Sequence, residues 1–247
     1  MYPLVNQKAR TIFSAAIILL SVSCKKSDVA PLPSTPTSVS AFANDEDFST
    51  SQSTENGTTI VKYRPGPNNG NDVYSDLYWG SPSGNQNYVP ELPVNVWDWG
   101  GLIVTRSFIQ FPKLHKFPEN ATVVSAKLYL YPPENFLNHP QGNNGVNECV
   151  IQRITSENWK EDCLTWSNQP TGVATDDQAI IPTSTSQWEY APVIDITTAI
   201  SKMINKEVPN YGFRIMLTNE QPNNAVNFAS SEASEAWRRP TLVVEYK

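Results

Sequence analysis

Between Ala121 and Tyr131 the chain reads ATVVSAKLYLY, an alternation of apolar and polar side chains that suits a strand with one buried face. Period two puts Val124, Ala126, Leu128 and Leu130 on the buried side and Ser125, Lys127, Tyr129 and Tyr131 on the other. A second apolar run, CVIQRI, follows, and then WKEDCLTWSNQP at Trp159 to Pro170. That last segment is too short for a helix with a continuous apolar stripe, so it reads as a structured corner between strands. Twenty prolines and 11 glycines in 247 residues fit many turns better than long helices, which points to an all-β class.

The N-terminal stretch sets the organisation. Lys8 and Arg10 precede the apolar run TIFSAAIILLSV, about half the length a membrane-spanning helix needs, and small residues lead to Cys24. The order resembles a bacterial lipoprotein signal peptide, with Ser21 where that family usually has leucine. The expected layout is a signal peptide over 1–23, a lipid-anchored flexible linker over 24–57, and one domain over 58–247. The linker reading follows from its Ser, Thr, Pro and Asn content, which buries too little to offset its ordering entropy. An outer-membrane location, lipid-anchored through Cys24 and facing the exterior in the manner of Bacteroidetes-type surface lipoproteins, is the corresponding expectation.

Once Cys24 is lipidated, Cys149 and Cys163 form an even pair in an exported, disulfide-permissive compartment. Two readings stay open: a bridge, contributing about 3 kcal/mol by closing a loop of roughly 15 residues, or two buried free thiols. His115 and His139 stand in separate loops and form no metal cluster with the cysteines. A net charge of −6 supplies no basic footprint for nucleic acid.

Other strand signals lie at TTIVKY, VYSDLYWG, VTRSFIQF, YGFRIML and RRPTLVVEY, while SPSGNQNYVPELPVNVWDWGG reads as a long loop with room for a short hairpin. One segment changes period. Ile196, Ala199, Ile200, Met203 and Ile204 recur at helical spacing, Asp195 stands at the N-cap, and Pro209 with Asn210 marks the stop. This predicts one short amphipathic helix lying on the sheets.

RSFIQF, ATVVSAKLYLY, WKEDCLTWSNQP, DITTAI, NYGFRIML, FASSEAS and RPTLVVEY, in that order, resemble the DNRLRE domain, an extracellular module grouped with carbohydrate-binding modules. The resemblance implies a jelly-roll-like antiparallel β-sandwich and, for some members, binding of polysaccharides such as alginate. It also makes the Trp159 and Trp166 corner architectural. Two departures stand out: no acidic residue opens the first strand at Thr58 to Ile60, which weakens any inherited metal role there, and the loop from Ser81 to Gly101 is long.

The function expected is therefore non-catalytic polysaccharide binding. Trp97 and Trp99, two apart in an extended WDW, share a face and form a paired platform with Asp98 turned away. Asp98 between the pair, Trp79 beside Tyr78, and Trp188 near Tyr190, are further candidate ligand-binding residues. If the glycan is acidic, Arg64, Arg106, Lys113 and Lys116 are the cations nearest in sequence. The alternative is a structural or adhesive surface protein contacting outer-membrane proteins through sheet tyrosines such as Tyr129 and Tyr131. The chain has no HExxH, GxSxG or glycine-rich phosphate loop, so no enzyme is predicted. No cofactor is expected either; Asp176 and Asp177 are two loop acids, a weak signal for a structural calcium, which takes several oxygen ligands.

Overall fold

The computed structural model describes residues 45–53, 57–136 and 139–247, with side chains left aside at 51–53. The signal-peptide reading and Cys24 lie outside these residues. The fold is an all-β sandwich of two antiparallel sheets with one short helix. The first sheet runs in the order β1 (Phe48–Ser53), β2 (Thr58–Tyr63), β13 (Thr241–Tyr246), β7 (Val123–Tyr129), β10 (Val193–Asp195). The second runs β12 (Asn224–Ala229), β5 (Glu91–Asp98), β6 (Leu102–Gln110), β11 (Phe213–Leu217), β8 (Cys149–Arg153), β9 (Ala179–Ile181). From it β3 (Asn71–Tyr78) pairs along β6 and carries β4 (Ser81–Pro82). Between the sheets lie Val61, Tyr63, Leu128 and Leu242 from one side and Val94, Ile151, Phe213, Ile215 and Phe228 from the other.

The alternation expected from Val123 onward holds for Ala126, Leu128 and Leu130, all fully buried. Val124 does not follow it and is exposed. A register shift at Glu245/Tyr246 pairs Tyr246 with Val123, and such a bulge turns the next side chain off the buried face. The stretch Glu91–Asp98, read from its prolines and turn formers as loop, is a strand with Leu92, Val94 and Val96 in the core. Pro93 is tolerated because the β5–β6 ladder begins only at Asn95↔Thr105, so no ladder N–H is asked of it on that side, and its carbonyl accepts the Ser107 Oγ–H at 2.7 Å.

The sheet also begins earlier than position 58. Strand β1 lies inside the segment read as flexible linker, and it carries too few apolar residues to announce itself. Its anchor is one side chain, Phe48, stacked on Tyr63 with centroids 4.3 Å apart and edge-on to Phe117. Burying a phenylalanine so contributes about 1.5–3 kcal/mol. Helix α1 (Thr197–Ile204) buries Ala199, Ile200, Met203 and Ile204 as predicted, but its N-cap is Ile196 rather than Asp195, which stands one place earlier and accepts the Thr197 N–H through Oδ1 at 3.0 Å. It stops before Pro209, at Asn205, because Lys206 turns to φ +58°.

The corner packs on the outer side of the second sheet. Trp159 sits edge-on to Phe108, and its Nε1–H donates to the Tyr211 carbonyl at 2.8 Å. Val73, Ile154 and Leu164 complete this small second core. Cys149 points the other way, into the main core, and is a free thiol. The two cysteines thus lie on opposite faces of one sheet, so the Cys149–Cys163 bridge is not formed.

Candidate functional site

At one end of the second sheet two hairpins meet and set four rings side by side. Strands β3 and β4 are joined by Trp79 and Gly80, both at positive φ (51° and 78°). That is the backbone of a two-residue type I′ turn, which asparagine and glycine normally fill. A tryptophan there is strained by about 1–2 kcal/mol. Strands β5 and β6 are joined by Trp99, Gly100 and Gly101, with Gly100 at φ +87°. Across the strands Tyr78, Ile103 and Trp97 are direct partners in one row, so their side chains share a face.

The rings associate in two stacks. Trp97 and Trp99 lie 5.9 Å apart at 25°, and Tyr78 and Trp79 lie 5.4 Å apart at 22°. The hairpins are held together by the Trp79 N–H donating to the Leu102 carbonyl at 2.9 Å, and the indole of Trp79 lies over Gly101, where a Cβ would come within 2.8 Å of the ring. Trp97 is the buried foot of this arrangement, packed on Ile103 and Ala225. Trp79 (57% exposed), Trp99 (52%) and Tyr78 (46%) are its solvent face. Flat apolar rings presented to water at a sheet end can stack on flat apolar ligand surfaces.

Other residues singled out in the sequence go elsewhere. Asp98 is turned to the backbone, its Oδ1 accepting the Gly100 N–H at 3.2 Å, and it shapes the turn. Trp188 packs edge-on to Phe136 and against Gly142, apart from the tip rings. The cations do not gather there either. Arg106 is three residues past Ile103, hence on the opposite face, where it grips Glu220 through two 2.8 Å bonds and covers the half-buried Trp166. Lys113 and Lys116 are ion-paired to Asp45, and Lys113 also to Asp47. Arg64 lies on the other sheet, donating to Thr241 Oγ1 at 2.8 Å.

Asp176 and Asp177 face cations rather than forming a calcium site: Asp177 accepts from Arg153 and Lys202, and Asp176 from Lys202. A different acidic group is assembled by the fold. Asp72 of β3, Glu161 of the corner and Glu232 beyond β12 bring one carboxylate oxygen each within 4.8 Å of one another. Both oxygens of Asp72 accept the Ser231 N–H, and Gly70 lets Ser231 approach, since a Cβ there would meet Ser231 Oγ at 2.3 Å. Glu161 Oε1 and Glu232 Oε2 are buried and accept no hydrogen bond. Burial first, and then the charge of Glu232, pushes Glu161 up to about 8 and Asp72 well above the usual carboxylate range. Three hard oxygen donors converging this way suit a divalent cation such as calcium. The sequence separates them too widely for any spacing motif to mark.

Against known families, residues 76–246 match the model of Carbohydrate-binding module family 96, and the matched span includes both tip hairpins. No curated protein matches the chain.

Proposed function

The chain belongs to carbohydrate-binding module family 96, and from that membership we propose that it is a polysaccharide-binding protein whose contact surface is the Tyr78, Trp79 and Trp99 tip. Such modules are non-catalytic. The observation that carries the choice of surface is the exposed Trp79 at positive φ in a turn that would be more stable with asparagine. Strain of this kind concentrates where a side chain is needed for contact rather than for folding. The finer part of the proposal is an acidic chain such as alginate, held outside the cell by a protein anchored in the outer membrane at Cys24. No helix among the described residues is long and apolar enough to cross a membrane.

Affinity electrophoresis through gels containing neutral or acidic polysaccharides tests the surface. Wild-type protein is expected to be retarded by at least one glycan. Trp79→Ala/Trp99→Ala should bind about tenfold or more weakly, as loss of two central aromatic contacts entails. Absence of retardation of wild type on every glycan overturns the reading. Retardation unchanged in the double variant moves the site away from the tip.

A further inference from the structure

On the outer side of the first sheet, residues that alternate with the core face solvent. Lys62 of β2, Val243 of β13 and Lys127 of β7 stand directly abreast, and Thr241 and Tyr129 form the next pair along β13 and β7. Two adjoining cavities open on this face. One, of about 340 Å³, is lined by Ile60, Lys62, Tyr129, Tyr131 and Val243 among others. The other, of about 400 Å³, shares Ser49 and Lys62 with the first and continues along Arg64, Asn68, Asn69 and Arg239. Trp237, half exposed, stands edge-on to Tyr131.

The groove has an aromatic end and a basic end. Lys62, Arg64 and Arg239 have no carboxylate partner among the described residues, whereas of the two acids on its wall Asp47 is neutralised by Lys113. Among the described lining residues, Glu46 alone is left to oppose the three cations. A cationic groove on a chain of net charge −6 is a local field that draws anions to that face. Arginine forks match carboxylate oxygens, tyrosine faces match the apolar side of a pyranose ring, and Asn68 and Asn69 can bond hydroxyls.

We propose that this groove is a second glycan-contact surface, separate from the aromatic tip and taking a carboxylated polysaccharide chain. It rests on the reading of the protein as a polysaccharide binder, and it supplies the ionic contacts that the tip lacks. A protein-docking face would instead present a broad apolar patch, and here the tyrosines flank lysine and arginine.

The test compares full-length wild type, Lys62→Glu, Lys62→Gln/Arg64→Gln and Trp79→Ala/Trp99→Ala on alginate, polygalacturonate and a neutral β-glucan. Unchanged melting temperatures in the two groove variants confirm that they fold, and Lys62→Glu touches an exposed side chain only. Both groove variants should bind the anionic chains about tenfold or more weakly, with binding to the β-glucan unaltered. Wild-type binding to the anionic chains should weaken as salt rises. Wild-type-like binding of both groove variants to alginate and polygalacturonate, with loss in the tip variant, overturns the groove and leaves the tip standing. Binding of wild type to none of the three overturns both.

Discussion

Trp79 shows how one residue can work against local stability. Its left-handed backbone is the conformation of the turn, and its side chain is what the turn displays. Replacing it by Asn should relieve the strain, so Trp79→Asn is expected to melt at the same temperature as wild type or a few degrees higher. Glycan retardation should fall in the same variant. A combined thermal melt and affinity gel checks both, and a marked drop in melting temperature would assign the indole to folding instead. In the sequence this residue was legible as a candidate contact at a strand end, but its left-handed backbone was not. The pairing of Trp97 with Trp99 was legible from period two, but their unequal exposure was not, because burial of Trp97 depends on Ala225, far along the chain.

Among the elements, β1 is held by a strap of charges as well as by Phe48. Asp45 accepts from Lys113 at 2.9 Å and from Lys116, beside Phe48 at the start of the strand. Burial alone would raise the Asp45 carboxyl, but the bonds from Lys116 and Lys113 outweigh it and hold it at about 2, below the ordinary 3.8. A depressed carboxylate stabilises above its unfolded value and loses that contribution as pH falls through its folded one. Asp45→Asn should therefore melt below wild type at pH 7, and the difference should vanish between about pH 4 and pH 2. Hydrogen exchange at pH 7 should be faster in β1 of the variant and unchanged in β11. The strand itself was hidden in the sequence because an edge strand secured by a single ring needs no apolar period. Strand β5 was hidden for a different reason: Pro90 before it and Pro93 within it weighed as turn signals, while a ladder at which one N–H is not needed admits Pro93.

Across the whole molecule, the two sheets bury one continuous core, and Cys149 reports on it. Fully buried among residues of both sheets, its thiol is pushed by burial well above the ordinary range. Alkylation mapped to Cys149 by mass spectrometry should be absent in native protein and complete in denaturant without reductant. Labelling in the native state would mean that the sandwich opens locally at β8, and protection in denaturant would mean that the thiol is bridged after all.

Composition and period two reach the all-β class and helical spacing the one short helix, because both rest on patterns that neighbouring residues impose, while the sandwich and the architectural corner come from the family resemblance. Only the tertiary structure decided which residues share a surface. The tip is made where two hairpins abut, the acidic trio where a strand, a corner and a turn converge, and the basic groove where Lys62 of β2 and Arg64 and Arg239, both just outside the paired strands, line one cavity. Such sites depend on strand order and register, which follow from the free energy of the whole core rather than from any local run of residues.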